Sequence, residues 1–156
     1  MMVISLLADS PSDSHKIAQW YYDEWANHAN TTLEMVVLDV MTKSINRDDF
    51  PMTFICKLNN DLIGVAELKL QENTRLPEYK HWLGGVFVDP SHRLMGVASQ
   101  LIFAALDKAK ALGVGTLYLE CEPHNTSLYH RHGFNVDHSS SETGGMTVIM
   151  SKTFNT

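Results

Sequence analysis

The chain has 156 residues, 44% hydrophobic and 19% charged. At roughly 100–200 residues per domain this predicts one domain that can bury its own core, and excludes a disordered or fibrous chain. Twelve Lys and Arg against eighteen Asp and Glu give a formal charge of −6. Nothing therefore offsets nucleic-acid phosphate or draws the chain to anionic lipid, while a modest negative field suits a cationic or amine substrate.

Met2 to Ala8 reads as a first strand, followed by a cluster of turn and cap formers from Asp9 to Ser14. His15 to Ala26 carries Ile17, Trp20, Tyr21 and Trp25 near helical spacing, and a second helix is predicted over Leu33 to Ser44 with Met35, Leu38 and Met41 on one stripe. Met52 to Leu58 and Leu62 to Leu70 form a hairpin around Asn59-Asn60-Asp61, residues that tolerate positive φ. Trp82 to Val88 is a nearly unbroken apolar run and reads as a strand buried on both faces. The longest helix follows, with Ala98, Leu101, Ile102, Ala105, Leu106, Ala109 and Leu112 at steps of three and four, stopped at Gly113. Thr116 to Cys121 reads as another buried strand and Ser127 to His132 as a short helix closed by Gly133. Phe134 to Asp137 and Met146 to Lys152 are the last two strands, separated by the serine run and Gly144-Gly145. Hairpins combined with a strand-helix-strand unit predict one mixed α/β sheet of six to seven strands with helices packed on it.

Cys56 and Cys121 lack the spacing of a zinc site or a disulfide framework, and both read as buried, reduced thiols. Met1 to Ala8 is short, has no basic leader and meets Asp9 at once, and no apolar run reaches the ~18 residues that span a bilayer. A cytoplasmic location is the expectation. His124, His130 and His132 cluster without a zinc spacing, so no metal is predicted. Trp20, Trp25 and Trp82 read as core residues.

Chemistry concentrates between Val86 and Ser99. A strand runs through Val86-Phe87-Val88 into a turn that opens the long helix, in the order Arg93-Leu94-Met95-Gly96-Val97-Ala98-Ser99. The first N–H groups of a helix have no intrahelical partner and the helix dipole is positive there, so a diphosphate fits. Gly96 lets the backbone approach, Ala98 keeps the next turn small, and Arg93 adds a cation. No Gly-Lys-Ser/Thr follows, and the glycine spacing is not that of a dinucleotide fold.

Beyond the next strand stand Asn125, Tyr129 and Gly133-Phe134. An Arg-x-x-Gly-x-Ala turn followed by Asn, Tyr and Gly-Phe resembles the GNAT superfamily of acyl-CoA N-acyltransferases, over Trp82 to Val136. Two features depart from the commoner pattern: Met95 replaces a basic residue, which leaves backbone N–H groups to carry more of the diphosphate, and Tyr129 follows Asn125 by only four residues.

The resemblance implies the GNAT fold, with helices on both sheet faces, and acetyl-CoA as co-substrate. It implies that the strands Trp82–Val88 and Thr116–Cys121 splay, that pantetheine pairs with the backbone of Val86 to Val88, and that an N–H near Phe87 or Val88 serves as oxyanion donor. Cofactor contacts are then expected from Val86, Phe87, Val88, Arg93, Leu94, Met95, Gly96, Val97, Ala98, Ser99 and Asn125. Tyr129 is expected to protonate the leaving thiolate. Glu67, Glu120 and Glu122 are candidates to deprotonate the amine through water, each with the alternative of a solvated strand-end carboxylate. The N-terminal helices, with Tyr21, Tyr22, Glu24 and Glu34, would cover a small-molecule or peptide amine. Direct transfer needs no nucleophile, so Cys121 is expected to pack rather than carry acyl. The rival reading is an acyl-CoA sensor without turnover. Acceptor identity and the choice between monomer and homodimer stay open.

Overall fold

A computed structural model describes residues 1–28, 30–142 and 145–155, with backbone alone at 140–142. Seven strands form one mixed sheet: β1 (Met2–Leu6), β2 (Met52–Leu58), β3 (Asp61–Leu70), β4 (His81–Val88), β5 (Thr116–Cys121), β6 (Asn135–Glu142) and β7 (Gly145–Thr153). The strand order is β1-β2-β3-β4-β5-β7-β6, and every neighbouring pair is antiparallel except β4 with β5. That parallel pair is joined by the crossover helix α3 (Val97–Ala111). The remaining helices are α1 (Ser14–Tyr21), which runs into a π-helical turn over Tyr22–Ala26, then α2 (Leu33–Lys43) and the short α4 (Thr126–His130).

Side chains alternate across the sheet, and each face carries its own core. Phe54, Cys56, Ala66 and Leu68 pack under α3 against Leu101, Ile102, Ala105 and Ala109. Ile55, Val65 and Phe87 face the other way, under Ile17, Ala18 and Tyr21 of α1 and Val40 of α2. The hairpin forms where Asn59 (φ +50°) and Asn60 (φ +73°) both take positive φ, the pairing a two-residue turn demands. Gly113 ends the α3 segment at φ +82°.

The structure corrects several sequence expectations. The first strand stops at Leu6, because Leu7–Asp9 turns as a 3-10 helix. On α2 the stripe Met35, Leu38 and Met41 faces outward, 54%, 69% and 44% exposed, while Val40 is buried and Leu33, Val36 and Val37 are partly so. Both sets satisfy helical spacing in a segment that is apolar on most sides, so periodicity cannot select the face. Lys43, which reaches the buried Glu67, helps hold the observed one. β6 continues to Glu142 through the serines, which pair along β7. Of the loop expected between the last strands, Gly144 lies outside the described residues. Val86 and Val88 are only half-buried, because β5 leaves them uncovered on one side.

Candidate active site

The site begins with a fault in the sheet. β4 pairs along β3 from Leu70↔His81 to Gly64↔Val88. Its pairing with β5 is a single register point, Trp82↔Tyr118. Past Trp82 the two parallel strands diverge, and the β5-facing edge of β4 has no strand partner. Backbone N–H and C=O groups along such an edge require a partner of another kind.

The divergence is reinforced by a bulge. Between Val65↔Phe87 and Glu67↔Gly84, β4 spends one residue more than β3, with Gly85 at φ +60°. Tyr21 donates from its hydroxyl to the Gly85 carbonyl at 2.7 Å. A Cβ on Gly85 would lie 2.5 Å from the Tyr21 oxygen and collide with Glu67 Oε2. Glu67 itself is 1% exposed. Lys43 Nζ stands 3.2 Å from its Oε1 and Lys69 Nζ 4.0 Å from its Oε2, held by charge rather than by an aligned hydrogen bond. Burial works to lower the Lys43 pKa, but the Glu67 and Asp39 carboxylates outweigh it and the net shift is upward. Burial first, then the Glu67 charge, raises the Tyr21 phenol well above its usual value. The solvated-carboxylate alternative is thus wrong for Glu67, which is an interior ion-pair member.

A cleft of about 660 Å³ fills the gap between the strands. Leu83 to Val86 of β4, Leu119 to Cys121 of β5, and Asn125 and Tyr129 form one part of its lining. Tyr21, Trp25, Thr31, Met35 and Asp39 roof the other part, joined by Lys69 and Glu72. Glu120 and Glu122 both line it and are exposed. Glu120 accepts from Asn73 Nδ2 at 3.2 Å and from Thr147 Oγ1 at 2.5 Å, and Glu122 stands 3.4 Å from His124.

Tyr129 is 9% exposed and lines the cleft. Burial, then the neighbouring Cys121, pushes its phenol up to about 12. Its ring meets Phe134 edge-on at 6.1 Å, and its carbonyl accepts from the Phe134 N–H across the turn that Gly133 makes at φ +91°. Asn125 precedes it by four residues, which puts both on one side of the 3-10 and α4 segment and both on the cleft. Cys121 is half-buried on the cleft rather than packed away, and burial, with Glu120 and Glu122, raises its thiol to about 11. Cys56 is buried.

The expected phosphate turn lies beyond the C-terminal end of β4 and outside the cleft lining. Leu94 (φ +65°) and Gly96 (φ +79°) bend it, and α3 starts at Val97 with no side chain capping its N–H groups. A Cβ on Gly96 would meet nothing within 4 Å, so the conformation demands the glycine and the space above is open. Leu94 is fully exposed, Met95 46% exposed, and Ala98 half-buried. Val97 points inward, 2% exposed. Ser99 Oγ lies 3.2 Å from His132 Nε2. Arg93 folds back: its Nε donates to the Val88 carbonyl at 3.1 Å and its guanidinium sits 5.5 Å from the Phe87 ring. Of Val86, Phe87 and Val88, only Val86 lines the cleft, while Phe87 packs under Trp20 and Trp25.

Sequence reasoning missed the bulge, although Gly84-Gly85 inside a strand pattern is its signal. Tyr21, expected only to cover the amine, bonds to the bulge, and the reach of Lys43 to Glu67 was missed, a contact for which local sequence carries no signal. Trp25, read as core, is 52% exposed in the cleft. Among the described residues, no group of three or more His, Cys, Asp or Glu could hold a metal ion, and no helix is long and apolar enough to cross a membrane.

Among curated proteins none matches the sequence significantly. Solved structures match the fold across nearly the whole chain. The structure of yncA from Salmonella typhimurium with its cofactor acetyl-CoA gives a TM-score of 0.78 at 16% identity, covering 99% of this chain and 94% of that one. An aminoglycoside 6'-N-acetyltransferase complexed with coenzyme A gives 0.76 at 13%, covering 97% and 96%. A GNAT-family acetyltransferase from Streptococcus pneumoniae gives 0.75 at 17%, covering 99% and 100%. The model of the acetyltransferase (GNAT) family matches residues 14–134, the span that holds the splayed strands, the turn before α3 and Tyr129. The chain belongs to the GNAT acetyltransferase family.

Proposed function

We propose that this protein transfers an acetyl group from acetyl-CoA to a primary amine by direct attack. The observation that carries the reading is the parting of β4 from β5 after Trp82↔Tyr118, with Tyr129 on the cleft it opens. Two features fit acetyl-CoA: an unpaired β4 edge suited to an extended amide-bearing arm, and an uncapped α3 start with open space at Gly96 suited to a diphosphate. When bound, acetyl-CoA supplies a thioester carbonyl that an amine can attack.

Val86 and the N–H groups of Val97, Ala98 and Ser99 hold the cofactor, and Asn125 lines the same cleft. An alkylammonium has a pKa near ~10 and must lose a proton before attack. Glu120, exposed in the cleft, takes that proton through water, while Glu67 serves as the buried anchor of Lys43 and Lys69. As the carbon–nitrogen bond forms and the carbon–sulfur bond breaks, the nitrogen gives its second proton to cleft water, and the Tyr129 hydroxyl protonates the thiolate and is itself reprotonated from water. A phenol held near 12 is fully protonated at neutral pH, so its proton is in place when the thiolate leaves, while the same shift makes it a weaker acid than a free phenol. Cys121, held near 11, is a poor nucleophile there, consistent with transfer that bypasses an acyl-enzyme.

The test is isotope transfer. Labelled acetyl-CoA incubated with the protein and an amine panel should yield labelled amide by mass spectrometry. Tight CoA binding with all label left on CoA would overturn turnover and leave a sensor in its place.

A further inference from the structure

The acceptor end of the cleft has an unusual composition for a site that receives an ammonium. Trp25 and Met35 line it and remain 52% and 54% exposed. Trp25 is not loose: its ring stands 5.4 Å from Tyr21 and edge-on to Phe87 at 6.1 Å. It is carried by the π-helical turn Tyr22–Ala26, where α1 widens. Such turns shift the register of the side chains that follow and are frequent at functional sites. The result is a pre-ordered indole with much of its surface uncovered inside a cleft that an uncovered thioether also lines.

Charge on the same wall is nearly balanced. Asp39 is paired with Lys43 at 2.9 Å, Glu72 with Lys69 at 3.2 Å, and Glu67 lies between the two lysines. Three carboxylates against two ammonium groups leave one negative charge on this wall, and the exposed Glu120 and Glu122 elsewhere in the lining add to it, so the cleft draws an ammonium and its charge does not select among amines.

Resting on the acetyltransferase reading, we infer that the acceptor is an amine with an aromatic or branched apolar body, seated against Trp25 and Met35, and that these two residues set specificity. Covering their apolar surface is the favourable term, because both are already exposed in the free protein. The aminoglycoside enzyme with the same fold acts, by its name, on a different class of amine.

The experiment measures binding and turnover side by side. Calorimetry on the CoA-saturated protein, and acetylation kinetics with acetyl-CoA, use 2-phenylethylamine, ethanolamine and spermidine. 2-Phenylethylamine should bind at least about tenfold more tightly than the other two, the ratio expected for covering some 60 Å² of apolar surface. Trp25→Ala should shrink that ratio by about tenfold, with the change in KM rather than kcat, and Trp25→Phe should restore most of it. Met35→Gln, at a position too exposed to threaten folding, should shrink it as well. Equal binding of all three amines, preference for spermidine, or a preference that survives both Trp25→Ala and Met35→Gln overturns the inference. If ethanolamine or spermidine is acetylated without ring preference, the reaction stands and this inference falls. If the binding preference and its loss in the variants appear without any acetylated product, the apolar amine site stands and the reaction falls. If no amine binds or reacts, both fall.

Discussion

Tyr21 and Gly85 lie 64 residues apart in sequence, yet the phenol of one donates a 2.7 Å hydrogen bond to the carbonyl of the other. The bond ties the roof helix α1 to the bulge in β4, so the acceptor side and the strand edge that faces the cofactor are one mechanical unit. Tyr21→Phe removes that donor and leaves a part-buried carbonyl without its partner. The expected cost is about 1–2 kcal/mol in urea unfolding. Turnover should fall further than CoA affinity does, because the bulge geometry relaxes. Equal stability and turnover in the variant would show that the bulge is fixed without the bond.

Two glycines at positive φ make a paired test. Gly85→Ala places a methyl against Glu67 and Tyr21 in a left-handed residue, so steric and conformational costs combine. It should lose about 3 kcal/mol or more and most activity. Gly96→Ala meets open space and should cost only about 1 kcal/mol. Gly96→Glu, with bulk and negative charge at the start of α3, should leave the fold intact and weaken CoA by well over ~10-fold. Calorimetry and thermal melts on the three variants check the ranking.

Tyr129→Phe keeps the ring on Phe134 and deletes the hydroxyl. Turnover should fall roughly 10- to 1000-fold with CoA affinity within a few fold. Because the phenol titrates near 12, no loss of activity between pH 6 and 9 should trace to it. The sign for stability follows from a folded-state pKa above the ordinary 10.0. The contribution is fully present below pH 10 and is lost as pH rises through about 12. Alkaline unfolding should therefore be shallower in the Phe variant. Parent-like turnover across pH 6 to 9 would remove Tyr129 from the chemistry.

The two thiols should separate in labelling. Cys56, fully buried with its pKa raised by burial, should react only on unfolding. Cys121 reaches the cleft, but a thiol near 11 is about 0.1% thiolate at pH 8, so it should label slowly and faster as pH rises. CoA should protect it. Rapid labelling of Cys56 in the native protein would contradict its place in β2, and labelling of Cys121 indifferent to CoA would contradict its place in the site.

Local chemistry was legible wherever a residue type has one conformational use. Asn59-Asn60 announced the hairpin, the Leu101-to-Ala109 stripe announced α3, and Tyr129 with Gly133-Phe134 announced the site through its family pattern. Long-range choices were not legible. The face of α2 is set by packing on α1 and the sheet and not by its own periodicity, and Glu67 is held in the interior partly by Lys43, which reaches it from α2. Trp25 looks like any core tryptophan until the π-helical turn redirects it. Arg93 reads as a phosphate ligand by position, yet its Nε already serves the Val88 carbonyl.

The single register point between β4 and β5 divides the sheet into a four-stranded sector and a three-stranded sector, joined in the sheet at Trp82 and Tyr118 and bridged by α3. Each sector is internally antiparallel, so amide protons within β2 and β3 and within β7, which have strands on both sides, should exchange only on global opening. Those on the facing edges of β4 and β5 should exchange early, through small relative motions of the two sectors. An extended ligand lying between them would act as an eighth strand and couple the sectors. Binding would then register as slowed exchange on both edges at once, far more than direct contact with one edge alone could produce.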